Sequence, residues 1–194
     1  MKYVKMILVL TGIALVSGGL LGGLHAATKQ KIAEQTLNRK KLPAVRNIFP
    51  DAENDLVADH LEFDSGGEEP VYVFVIKKGG KPIAIALEGF GKGYGGDVGV
   101  MVGFNIETGK LVGISVTTHS ETPGVGSKIT ENHSFLGQFE DIPADPEAKI
   151  KKDGGKIDAI SGATFSSRAV ATAVGAAVRY YQTNEAEIKG KVGL

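Results

Sequence analysis

From Met6 to Leu24 the chain reads MILVLTGIALVSGGLLGGL, without a single charge. No other feature narrows the options as much, because a helix of that length rises close to 30 Å, about the thickness of a bilayer's hydrocarbon core. Lys2 and Lys5 precede the run, and Lys29 and Lys31 follow it. Residues 1–28 are therefore expected to form an uncleaved transmembrane anchor; a cleaved leader ending near Leu24-His25-Ala26 is the competing reading, disfavoured by the length of the apolar run. Gly18/Gly22 and Gly19/Gly23 place small residues four apart near the end of this helix, which lets a neighbouring membrane helix approach closely. The flanking lysines leave the orientation open, since long domains cross largely regardless of such charges.

After the anchor the sequence predicts a polar juxtamembrane stalk over residues 29–45 and one folded domain over 46–194, near the usual size of a single domain. Beyond Lys31 the chain carries 18 basic and 22 acidic residues, a mildly acidic balance that gives no electrostatic reason to bind nucleic acid. Cysteine is absent, which excludes disulfides, thiolate nucleophiles and iron–sulfur ligation; with four histidines, His25, His60, His119 and His133, a metal site is not expected. Any redox chemistry must then come from an organic cofactor.

Two pairs of β-rich runs carry turn signals between them. Val71–Ile76 and Ile83–Leu87 flank Lys-Lys-Gly-Gly-Lys-Pro, and Val98–Asn105 and Leu111–Thr118 flank Glu-Thr-Gly-Lys, so each pair reads as a hairpin. Before them, the region from residue 47 to about 60 carries the amphipathic stretch DAENDLVADHL (51–61); after them, residues 128–139 predict a short helix. Residues 166–182 predict a longer one, with Val170, Val174, Ala177, Val178 and Tyr181 at helical spacing. The expected class is α+β: an antiparallel sheet built from hairpins with flanking helices, plus the N-terminal transmembrane helix.

Some glycine patterns mislead. Gly91-Lys92-Gly93-Tyr94-Gly95-Gly96 has the spacing of a dinucleotide fingerprint, but a strand is predicted after it where that motif needs a helix. Gly124-Val125-Gly126-Ser127-Lys128 lacks the spacing of a phosphate loop.

The informative segment is Asp158-Ala159-Ile160-Ser161-Gly162-Ala163-Thr164-Phe165-Ser166-Ser167. Gly162 and Ala163 allow a bulky ligand to reach the backbone. Thr164 stands just before the predicted helix, whose first N–H groups and partial positive charge suit a phosphate. From the residues alone two readings stand: a phosphate site beside the Thr164 hydroxyl, or simple capping of the helix by Ser166 or Ser167.

DAISGATFSS resembles the flavinylation motif of the FMN-binding domain family, in which Asp-x-x-Ser-Gly-Ala-Thr presents the modified threonine. His119-Ser120-Glu121-Thr122-Pro123-Gly124-Val125-Gly126 resembles the family's His-x-Glu-Thr-Pro-Gly-x-Gly loop, with Val125 where leucine is common, and the Gly93–Gly96 turn is also similar to the family pattern. The family includes the G subunit of Rnf electron-transport complexes and the C subunit of sodium-translocating NADH:quinone oxidoreductases. The resemblance implies FMN joined through its phosphate to Thr164 as a phosphoester by a flavin transferase. It further implies an electron-transfer subunit of an ion-translocating ferredoxin:NAD oxidoreductase rather than a stand-alone catalyst. Its location would be the bacterial inner membrane, single-pass, with the soluble domain on the periplasmic side and other membrane subunits as partners.

On this reading Ser161, Gly162, Ala163 and Ser166 line the phosphate, while Tyr94, Glu121, Thr122, Pro123 and Gly124 contact the flavin. Asp158 is recognised by the transferase, orients the loop, or is an exposed carboxylate; Lys128 and Arg168 offset phosphate charge or are solvated. His119 is a hydrogen-bonding loop residue, and no residue is assigned a catalytic role. The alternatives are the C subunit of the quinone reductase, and a membrane-anchored binding or assembly module without a cofactor.

Overall fold

The computed structural model describes residues 2–64 and 70–193 and separates into two units, Met1–Arg39 and Lys40–Leu194. In the first, helix α1 runs unbroken over Lys2–Thr36, and its Lys2–Lys29 portion is long and apolar enough to cross a membrane. In the second, a π-helical turn reaches Lys41 and leads into helix α2 (Leu42–Ile48), with Pro43 in its first turn, where a missing N–H costs no hydrogen bond.

Five strands come next: β1 (His60–Phe63), β2 (Val71–Lys78), β3 (Lys81–Lys92), β4 (Asp97–Asn105) and β5 (Leu111–Thr118). They form one antiparallel meander in chain order. The β2–β3 turn is Gly79-Gly80, with φ of 58° and 74°; both positions need left-handed backbone, which glycine takes without steric cost. In the β3–β4 turn, Gly93 N–H donates to Gly96 O at 2.8 Å. The spaced glycines here thus close a hairpin, and the next element is a strand.

The last helix, α4 (Thr164–Val192), covers one sheet face with Ala169, Val170, Ala173, Val174, Ala177 and Val178 all buried. Its contact with β3 is backbone-close. A methyl group added at Gly91 would lie 2.1 Å from Ala169 O, and one at Gly89 would lie 2.1 Å from Ala173 O. Small residues at 169, 173 and 177, one turn apart, therefore meet glycines two apart on one strand face. Because Gly91 meets the start of the helix and Gly89 its middle, α4 runs antiparallel to β3 and its N-terminus lies at the β3–β4 turn.

The opposite face receives α2, where Gly103 faces Ile48 and Phe49. Here Lys41 Nζ pairs with Glu88 at 3.0 Å, the side chains 10% and 8% exposed, and stands over the Tyr72 ring at 4.7 Å. Glu88 also accepts the Thr117 hydroxyl.

Three local expectations are revised. β1 adds a strand to the four that the sequence predicts and takes in His60 and Leu61, the end of the DAENDLVADHL stretch, whose remainder is largely turn. Asn54 explains this: its amide donates to Val75 O at 2.9 Å and accepts from Lys77 N–H at 2.9 Å, where the β2–β3 register shifts. A side chain that satisfies strand backbone in this way competes with local helix. The 128–139 helix is broken into a 3₁₀ turn (Gly126–Thr130), the four-residue α3 (His133–Leu136) and another 3₁₀ turn (Gly137–Phe139), with Asn132 capping Phe135 N–H at 2.9 Å. Finally, α4 extends ten residues past Gln182, held by buried Ile188 and by the i,i+4 pairs Glu185–Lys189 and Glu187–Lys191.

The helix–strand contact predicts that Gly91→Ala lowers stability by about 1–3 kcal/mol through overpacking. Gly190→Ala, at an exposed helical position with open space around it, should raise stability by up to about 1 kcal/mol. Denaturant unfolding of the detergent-solubilised chain measures both.

Candidate functional site

Glu121 organises the site. It lies in the loop after β5, is only 5% exposed, and reaches two other segments with its carboxylate. Oε1 accepts from Gly95 N–H at 2.9 Å, and Oε2 accepts the Ser166 hydroxyl. One buried carboxylate thus ties the β3–β4 turn, its own loop and the first turn of α4 together. A buried charge is tolerable when donors are aimed at it, as here. The glycines nearby leave the necessary room: a methyl group at Gly93 would sit 2.4 Å from Glu121 Oε1, and one at Gly126 would sit 2.7 Å from Ser166 Oγ.

Between these segments is an open cavity of about 250 Å³, lined by Tyr94, Glu121, Thr122, Val125, Gly126, Gly162, Ala163, Phe165 and Ser166. Its rim is aromatic and exposed. Tyr94 is 78% and Phe165 63% accessible, with ring centroids 6.5 Å apart. A larger groove of about 680 Å³ runs along residues 138–157, and no residue of the two motif segments lines it.

Thr164 opens α4, and the residue before it, Ala163, provides no side-chain cap. The two serines suggested as caps lie inside the helix. Ser166 is committed to Glu121; Ser167 Oγ donates to Ala163 O at 2.9 Å and accepts from Ile160 N–H at 3.0 Å, fixing the preceding loop. Gly162 takes φ 80°, with open space where a side chain would project. The N-cap residue of this 29-residue helix therefore offers no side-chain acceptor to the first-turn N–H groups beside the Thr164 hydroxyl.

The other candidates are scattered more widely. Ser161 is exposed and outside the cavity lining, as are Pro123 and Gly124. His119 Nδ1 accepts from Glu121 N–H at 3.3 Å. Asp158 pairs with Lys151 at 2.7 Å, and its backbone is held on both sides by the Gln138 amide. Lys128 is exposed. Arg168 binds Asp153 through two hydrogen bonds of 2.6 and 2.8 Å and lies over the Phe165 ring at 5.3 Å, so its charge is already partnered. Sequence reasoning missed Lys152, whose Nζ donates to Thr164 Oγ1 at 3.2 Å. It also missed Phe165, although an aromatic directly after the threonine was a usable signal.

The FMN-binding domain family model matches residues 93–179, from the glycine turn through most of α4. The G subunit of the ion-translocating oxidoreductase complex from Shewanella amazonensis is 35% identical, covering 93% of this chain and 88% of the relative. The corresponding G subunit from Photorhabdus laumondii is also 35% identical, over 88% and 86%. The chain belongs to the FMN-binding domain family, in the group formed by these G subunits. The fold is shared with two solved structures: Shewanella oneidensis NqrC (TM-score 0.53, 21% identity, 71% and 75% covered) and the C subunit of the Na⁺-translocating NADH-quinone reductase from Parabacteroides distasonis (0.51, 22%, 66% of each).

Glu121→Ala leaves Gly95 N–H and the Ser166 hydroxyl without their partner and should cost about 1–3 kcal/mol for each group left unpaired; Glu121→Gln, which keeps an acceptor and gains a donor, should cost less in the same unfolding measurement. The Asp153 carboxyl is held below its ordinary 3.8, first by hydrogen bonds from Arg168 and then by nearby positive charge, against desolvation. A lowered folded value means the pair's stabilisation is complete above the ordinary carboxyl range and is lost as pH falls through that lowered value. The melting-temperature gap between wild type and Asp153→Asn should therefore persist at neutral pH and shrink below about pH 4.

Proposed function

We propose that this chain is the electron-transfer subunit of a membrane-bound, Rnf-type ion-translocating ferredoxin:NAD oxidoreductase and carries FMN as a phosphoester on Thr164. The observation that carries this reading is the position of Thr164. Its hydroxyl stands at the first turn of α4, which has no side-chain cap, with a cation 3.2 Å away and an aromatic-rimmed cavity adjacent.

The residues fit the group. The phosphate end would be held by Thr164 and the first-turn N–H groups, and open Gly162 leaves the backbone accessible. Tyr94, Thr122, Val125 and Phe165 would line the ring. FMN, when bound, supplies a redox centre able to pass one or two electrons. At about 250 Å³ the cavity is smaller than pockets that enclose whole ligands, so part of the flavin would stay outside it. An exposed ring suits transfer to a protein partner better than chemistry on a diffusing substrate.

In this reading residues 1–28 anchor the chain by a single span in the bacterial inner membrane; the stalk expected over 29–45 ends at Arg39, because Lys41, Ala44 and Val45 are buried in the folded unit, and that unit holds the cofactor on the periplasmic side. The other membrane subunits of the complex are its partners, and a flavin transferase attaches the FMN during maturation. The names of the G-subunit relatives support membership of such a complex, and the apolar α1 supports a membrane anchor.

Co-expressed with a flavin transferase, the boiled chain should fluoresce on a denaturing gel, and Thr164→Val should be dark while unfolding at a similar denaturant concentration. Fluorescence retained by Thr164→Val would move the flavin elsewhere; a dark wild-type chain would favour a cofactor-free binding module.

A further inference from the structure

The 3₁₀ turn Lys151–Asp153 sends three consecutive side chains to the segment that presents Thr164. Lys151 pairs with Asp158, Lys152 donates to the Thr164 hydroxyl, and Asp153 binds Arg168. The turn is itself held firmly. Lys151 N–H donates to Ile157 O at 2.8 Å, Gly154 closes the turn at φ 86°, and a methyl group on Gly155 would lie 1.9 Å from Lys149 O.

Of the cations around Thr164, two are neutralised where they stand, Lys151 by Asp158 and Arg168 by Asp153. Lys152 has no carboxylate within ion-pair distance among the described residues, and its charge is aimed at the one oxygen that the ester would use. A phosphodiester carries one negative charge at neutral pH, and a lysine ammonium is a compact partner for it.

We infer that Lys152 is the phosphate-binding cation of this site, the group that pairs with the phosphodiester on Thr164 and holds it against the start of α4. The inference rests on the Thr164 reading and adds a residue outside both sequence motifs. The turn acts as a three-point clamp: its outer charges fix its position through Asp158 and Arg168, and its middle charge meets the ligand.

The test uses the full flavinylated chain in detergent, with intact mass to count FMN and ³¹P NMR to read the phosphorus environment. Lys152→Met should move the phosphodiester resonance most of the way to its position in the urea-unfolded protein. Lys152→Arg should keep it near the wild-type value, and Lys128→Met should leave it unchanged. Loss of FMN in Lys152→Met with retention in Lys152→Arg would equally support the charge contact. A fully loaded Lys152→Met with the wild-type resonance, or loss of FMN in both Lys152 variants, would overturn it. Wild-type protein without FMN would instead sink the Thr164 reading itself, so the two failures are distinguishable.

Discussion

The distance between α4 and β3 sets everything else at the candidate site. Gly89 and Gly91 face Ala169, Ala173 and Ala177 so closely that backbone meets backbone, and no larger residue fits at either strand position. Glycine inside a strand and alanine on a helix each bury little apolar surface. What they provide is a fixed axial register: the carbonyl groups of α4 are seated over specific strand positions. With the helix antiparallel to β3, that register brings Thr164 to the end of the sheet where the β3–β4 turn projects Tyr94. A cofactor attached at a helix terminus is only as well positioned as the helix, and this contact removes its freedom to slide.

Glu121 converts that proximity into a defined site. Its carboxylate accepts from Gly95 on one side and Ser166 on the other, which locks the two motif loops to the helix. The charge distribution is then polarised across the first turn of α4. The buried acid lies on the inner side, whereas Lys151, Lys152 and Arg168 lie on the exposed side with Asp158 and Asp153. An anionic group at Thr164 would meet the helix N-terminus and a lysine, while the buried carboxylate is kept occupied by its own donors. The aromatic rim faces outward beside the exposed cluster, with Arg168 over the Phe165 ring.

Local chemistry made much of this legible in advance. The Gly79-Gly80 turn and the Thr108-Gly109 turn announced their hairpins because left-handed backbone has few other occupants. The apolar spacing of Val170, Val174, Ala177, Val178 and Tyr181 announced the buried face of α4, because burial follows the helical period. The hidden features depend on contacts between residues distant in sequence. Asn54 works by hydrogen-bonding the β2 backbone, 21 and 23 residues away, and so shapes the segment before β1. Ser166 looked like a cap until its partner, 45 residues upstream, was in place. Lys152 sits in a lysine-rich connection with no pattern of its own; the Gly154-Gly155 turn and the Lys151–Asp158 and Asp153–Arg168 pairs bring it to Thr164.

The central claim, one FMN esterified to one hydroxyl, can be tested directly by peptide mass spectrometry on chain isolated from its native host. Trypsin should release Ile157–Arg168 by cutting after Lys156 and Arg168. This peptide should be heavier by FMN less one water, with fragment ions that assign the added mass to Thr164. Recovery of the unmodified peptide alone, or a flavin on any other peptide, would contradict the claim.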